Sequence, residues 1–129
     1  RFYEESKDPD IHSNPEKLPK SYADYNKLIK FFENHFSNPH FFIFVQEENQ
    51  FTNKLIFNSS FEYITHRNGY KGSWNRLYAQ SSCLHQIFNN STFYYWGAFI
   101  SSSNFENGEI YMSNNFLFKN IYNPNWKTF

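Results

Sequence analysis

Between Leu84 and Ile100 the sequence changes pattern abruptly, and few folds accommodate the change. Leu84-His85-Gln86-Ile87-Phe88 ends on two large apolar residues and reads as a short buried strand. Asn89-Asn90-Ser91-Thr92 then sets four small polar residues in a row, which stop a strand and cap a helix. Behind them Phe93, Trp96, Gly97 and Ile100 recur at helical spacing, which predicts an inward helix face. A strand that enters a helix through Ser-Thr leaves backbone N–H groups and hydroxyls directed at one spot. Such a corner can serve as an ordinary helix cap, or it can hold an anion such as a phosphate.

The rest of the chain alternates in the same way. Ser21, with Asp24 three residues on, reads as a capping box opening a helix that carries Tyr22, Tyr25, Leu28, Ile29, Phe32 and Phe36. Asn38-Pro39 ends it. Phe41 to Val45 is a continuous apolar run, read as a strand buried on both faces. A short amphipathic segment lies around Gln50 to Leu55, and Phe61 to Thr65 is a second strand. His66 to Gly72 is a loop with two glycines. Ser73 to Ser82 reads as a helix with Trp74, Leu77 and Tyr78 on one face. After the Leu84–Ile100 stretch, Ser101 to Gly108 reads as a polar turn and Glu109 to Met112 as a last strand. Helices alternating with strands predict an α/β domain, a parallel sheet with helices on both faces. The domain spans 21–129, behind an irregular, Pro-broken leading segment at 1–20.

Composition sets bounds on function. Lys plus Arg and Asp plus Glu number 12 each, and the cations are scattered, so no basic stripe marks a nucleic-acid partner. The 17 Phe and 10 Tyr suggest a sugar-stacking surface, but Phe, Tyr, Asn, Ile and Lys are also the residues that AT-rich codons specify. A single cysteine, Cys83, precludes an internal disulfide and reads as a buried structural thiol. No apolar run approaches the ~18 to 20 residues of a membrane helix. Asp8, Asp10 and His12 lie in a Pro-flanked segment without a second ligand cluster, so no metal is expected. The chain begins at Arg1 and not at Met, as a fragment or processed product would.

The run Cys83-Leu84-His85-Gln86-Ile87-Phe88-Asn89-Asn90-Ser91-Thr92-Phe93-Tyr94-Tyr95-Trp96-Gly97-Ala98-Phe99-Ile100 resembles the signature of the α-1,2-fucosyltransferases of glycosyltransferase family 11. Those enzymes carry a stretch close to Cys-Lys-His-x-Ile-Ile-Ala-Asn-Ser-Thr-Phe-Ser-Trp-Trp-Gly-Ala-Trp-Leu. Further similarities lie in Leu18-Pro19-x-Ser21-Tyr22-x-x-Tyr25, in Asn38-Pro39-His40-Phe41-Phe42-Ile43-Phe44, in Ile110 to Phe116 and in Asn123-Pro124-Asn125-Trp126. The resemblance therefore runs from about residue 18 to residue 129.

The resemblance implies the C-terminal, donor-binding lobe of a two-lobed GT-B-type fold, a Rossmann-like sheet. The partners it implies are GDP-fucose, a galactose-containing glycan acceptor and an N-terminal lobe supplying most of the acceptor site. The reaction would be inverting transfer of L-fucose to a galactoside 2-hydroxyl, with no cofactor beyond the donor itself. Negative charge would grow on the departing β-phosphate, and Ser91, Thr92 and the Phe93 backbone N–H would stabilise it, with Asn90 shaping the corner. Glu47, at the end of the first strand, stands nearest to the family's carboxylate for the guanine or ribose, and Gln46 replaces its charged neighbour. The family's His-x-Arg-Arg-x-Asp motif is not intact here; only Arg1 stands where its last arginine could be. Asn75 falls where the family has Asp. His85 matches the family's His, and on an apolar strand it reads as a hydrogen-bonded structural residue. The resemblance assigns no catalytic base. The alternative reading is a degenerate, non-catalytic nucleotide- or glycan-binding domain of the same ancestry.

Overall fold

The computed structural model describes residues 20–48, 50–114, 121 and 123–129 of the chain. The leading segment, Arg1, the Asp8/Asp10/His12 group, Leu18-Pro19 and Phe116 lie outside the described residues. The chain divides into two compact units, Lys20–Arg76 and Leu77–Phe129. Each is a small mixed α/β assembly whose strand pairs are all parallel.

The first unit opens with α1 (Tyr22–His35), and its start is the capping box the sequence spells. The Asp24 N–H donates to Ser21 Oγ, and the Ser21 N–H donates back to the Asp24 carboxylate. Phe36 leaves the helix in extended conformation, and Asn38 takes a positive φ of 52°, a conformation Asn tolerates better than most residues. Then come β1 (Phe41–Phe44), a 3-10 turn at Thr52–Lys54 and β2 (Phe61–Ile64), with Phe41 opposite Phe61 and Phe44 opposite Ile64.

Two side chains of α1 tie it to the connection between these strands. Asn26 bonds both the Lys54 carbonyl and the Ile56 N–H, while the Glu33 carboxylate accepts from the N–H groups of Asn58 and Ser59 and from Asn58 Nδ2. Phe51, buried, takes the edges of Tyr22 and Tyr25. The expectation that β1 is buried on both faces fails: Phe42 is 45% exposed, as is Phe61 on β2. Phe41, Phe57, Phe61 and Tyr63 instead form a run of ring contacts.

The helix α2 (Ser73–Ser81) contains the boundary between the units. Of the face expected to be apolar and inward, only Leu77 is half-buried. Trp74 and Tyr78 are 82% and 77% exposed, while Arg76, Gln80 and Ser81 are buried.

The second unit is built on β3 (Gln86–Phe88), α3 (Thr92–Asn104), β4 (Ile110–Met112) and β5 (Lys127–Thr128), in the sheet order β3-β4-β5. Parallel neighbours need a crossover, and α3 supplies it for β3 and β4. Its core joins Phe88, Tyr95, Ala98, Ile110, Met112 and Trp126. Two expectations are corrected here. The helix extends through Ser101–Asn104, part of the stretch whose composition predicts a turn, and its inward face is Tyr95, Ala98 and Ser101, with Trp96 and Ile100 turned outward. Gly97 stays on the buried side. The two-residue strand β5, which the sequence pattern does not predict, pairs Tyr111 with Lys127 and Met112 with Thr128.

Candidate functional site

The site begins at the end of β3. Phe88 is buried, and its carbonyl accepts from the Ser113 N–H beyond β4, which fixes where the chain leaves the sheet. Asn89 closes on its neighbour, its Oδ1 taking the Asn90 N–H at 2.8 Å. Ser91 is the N-cap of α3, with extended backbone at φ −148° and ψ 121°, and its carbonyl accepts the Tyr95 N–H at 2.9 Å. Its side chain makes no capping bond. Thr92 begins the helix on the exposed side, and Phe93 is half-buried with its ring edge-on to Tyr94.

Asn90, Ser91, Thr92 and Phe93 are thus consecutive around one strand-to-helix corner at the C-terminal end of a parallel strand. There the positive end of the α3 dipole and the first-turn N–H groups converge. The usual use of the Ser91 hydroxyl, closing back on the N–H of the second or third helical residue, is not made. The arrangement can therefore offer a hydroxyl and helix N–H groups to an anion.

Glu47 belongs to the other unit. It follows β1, is exposed, and its carboxylate lies 3.9 Å from Arg67 Nη2 in an exposed ion pair. The structure groups the four corner residues and keeps Glu47 as a separate position in Lys20–Arg76. Asn75 sits in the first turn of α2, where its Nδ2 donates to the Lys71 carbonyl.

His85, just before β3, accepts the Glu109 N–H on Nδ1 at 3.0 Å, so this nitrogen has a structural task. Cys83 is partly buried, and burial pushes its thiol pKa up, which suits a structural thiol and not a nucleophile. Beyond β4, a hydrogen bond from Lys127 to Glu109, 3.0 Å between charged atoms, holds the lysine pKa up despite a smaller opposing effect of desolvation.

Sequence reasoning missed Arg76. It is only 7% exposed, its Nη1 lies 3.4 Å from His66 Nε2, and its Nε and Nη2 have no hydrogen-bond partner among the described residues. Nothing in the sequence marks it, because a lone arginine on a short helix ordinarily reads as solvent-facing.

No group of three His, Cys, Asp or Glu side chains among the described residues is placed to hold a metal ion. Among the same residues no helix is long and apolar enough to cross a membrane. Comparison with known proteins gives no match: no family model, no curated protein and no solved structure is significantly similar to the chain.

Proposed function

We propose that this chain is the GDP-fucose-binding, C-terminal lobe of an α-1,2-fucosyltransferase, a Rossmann-like half of a GT-B-type enzyme. The observation that carries the reading is the corner after β3. A parallel strand–helix–strand unit ends its first strand at a helix N-terminus whose Ser91 hydroxyl is not spent on a cap. The residues at that corner are the ones in the Asn-Ser-Thr-Phe run that resembles the family signature. Ligands of open parallel sheets meet the chain at the carboxyl ends of strands.

In this reading the diphosphate of the donor sits against the first turn of α3. Transfer of fucose to the galactoside 2-hydroxyl leaves GDP, and the charge gained by the β-phosphate is met by Ser91, Thr92 and the Phe93 N–H. Donors fixed before the reaction stabilise that growing charge more than the ground state. The acceptor site falls largely to an N-terminal lobe.

A second reading, a nucleotide- or glycan-binding domain without transferase chemistry, draws on Gln46 and Asn75. Gln46 replaces a charged residue of the family, and where the family has Asp this chain has an amide bonded to the Lys71 carbonyl. Thermal denaturation with GDP, GDP-fucose or UDP, followed by an assay for fucosyl transfer to a galactoside, separates the readings. Stabilisation by the guanine nucleotides with transfer supports the enzyme. With the transfer assay run on the chain joined to its N-terminal lobe, the same stabilisation without transfer supports the binding domain. Indifference to both guanine nucleotides contradicts the enzyme reading and the nucleotide-binding form of the second.

A further inference from the structure

We propose that Arg76 and His66 form an oxyanion site at the junction of β2 and α2, built to take a phosphate group. Its elements all lie between Thr65 and Arg76, and it rests on nothing in the fucosyl-transfer reading.

The argument starts from an unpaired charge. Arg76 is 7% exposed, and two of its three guanidinium nitrogens, Nε and Nη2, have no hydrogen-bond partner among the described residues. The guanidinium is a planar fork of five N–H donors with no acceptor, so only an acceptor can satisfy it. The third nitrogen, Nη1, faces His66 Nε2 at 3.4 Å, a long contact to a ring that brings no negative charge. A buried cation left in this condition destabilises a fold, and an anion at the free edge would offset that. Nε and Nη2 form the side edge of the guanidinium, the edge that pairs two-pronged with carboxylate or phosphate oxygens.

The surroundings favour phosphate. The loop after β2 is tied down by Asn68, whose Oδ1 accepts from the Thr65 N–H and hydroxyl and whose Nδ2 donates to the Tyr63 carbonyl. The Thr65 hydroxyl in turn accepts from the Arg67 N–H. Gly69 and Gly72 have φ of 99° and 95°, with open space where a Cβ would stand, so the backbone can be approached closely there. Lys71 is an exposed cation on the same loop, and Arg67, also exposed, has the Glu47 carboxylate 3.9 Å from its Nη2. Arg76 lies in the first turn of a helix, where the dipole favours an anion. A two-pronged guanidinium edge in the first turn of a helix suits the several oxygens and double charge of a phosphate better than a singly charged carboxylate.

The test is calorimetric titration of the full chain with inorganic phosphate at constant ionic strength, with acetate as the comparison. It is run in a Ser91→Ala/Thr92→Ala background, so that any phosphate held at the α3 corner does not contribute. The expected result is saturable phosphate binding, weakened about tenfold or more by Arg76→Met, as loss of a two-pronged charged contact implies. His66→Ala, made at an exposed side chain, weakens it by a smaller factor. Without phosphate, Arg76→Met melts no lower than its parent, since it removes an unpaired buried charge; a purely structural arginine would give the opposite. The proposal is overturned if phosphate does not bind, if acetate binds as well, or if Arg76→Met leaves binding unchanged. Should Arg76→Met fail to fold, wild-type phosphate affinity in His66→Ala overturns it equally.

Discussion

Gly97 sits where a single methyl group would be felt through a buried hydrogen-bond network. A Cβ at this position would collide with Oε1, Cδ and Nε2 of Gln80, all closer than real Cβ contacts allow. Gln80 is 3% exposed, and its Nε2 donates to the Tyr94 carbonyl at 2.9 Å and to Gln86 Oε1 at 3.2 Å. Gln86 is itself fixed through bonds from its Nε2 to the carbonyls of Gln80 and Cys83. The Gly97→Ala variant must therefore swing the Gln80 amide aside. Losing its two bonds costs about 1 kcal/mol each, and the overpacking adds ~1 to 3 kcal/mol. The better helix propensity of alanine returns about 1 kcal/mol. The net loss is ~2 to 4 kcal/mol, which lowers the melting temperature by roughly 8 to 15 °C in a chain of this size. Urea denaturation of the wild type, Gly97→Ala, Gln80→Ala and the double variant reads it as a cycle. With Gln80 truncated, Gly97→Ala becomes neutral or stabilising by up to about 1 kcal/mol. A Gly97→Ala single variant as stable as wild type would refute the reasoning.

Other outcomes follow from the same structure. Glu33→Ala removes the acceptor for three donors of Asn58 and Ser59 and costs about 2 kcal/mol in urea denaturation. Desolvation raises the Glu33 pKa, but the bonds from Ser59 and Asn58 outweigh it and the net shift is downward; the Ser21 side chain likewise lowers Asp24. A lowered carboxylate stabilises the fold fully above its unfolded pKa and loses that effect as pH falls through the folded value. Stability of the wild type therefore drops on acidification below about pH 4.5, with a shallower drop in Glu33→Ala. Ser21→Ala costs about 1 kcal/mol through loss of the cap on α1. Cys83, its pKa raised by burial, reacts with a thiol reagent at pH 8 much more slowly in the folded chain than in urea.

What the sequence made legible was whatever is written locally. The Ser21–Asp24 box, the strands at Phe41 and Phe61, the strand–corner–helix at Ile87–Phe93 and the parallel pairing all follow from caps, short apolar runs and alternation. The faces of α2 and α3 were not legible, for two different reasons. From Phe93 to Ile100 nearly every residue of α3 is apolar or small, so several rotations of the helix fit the pattern, and contact with Phe88 and Trp126 selects Tyr95 and Ala98. In α2 the buried face is polar: Gln80 earns its place by hydrogen bonding, Arg76 is left unpaired, and the aromatics Trp74 and Tyr78 face outward. Apolar periodicity cannot announce such a face. β5 is two polar residues long and exists through pairing with β4, a contact no local pattern encodes. At the candidate site the corner residues were found by type and spacing, whereas the unspent Ser91 hydroxyl is a fact of geometry.

The central claim is that the corner after β3 holds the diphosphate of a guanine nucleotide. It is tested most directly by calorimetric titration of the chain with GDP, GMP and UDP, in the wild type and in Ser91→Ala/Thr92→Ala. The account predicts that GDP binds, that GMP and UDP bind more weakly, and that the double variant loses about 2 kcal/mol, near thirtyfold in affinity. GDP affinity that is absent from the folded chain, or that is unchanged in the double variant, would contradict it.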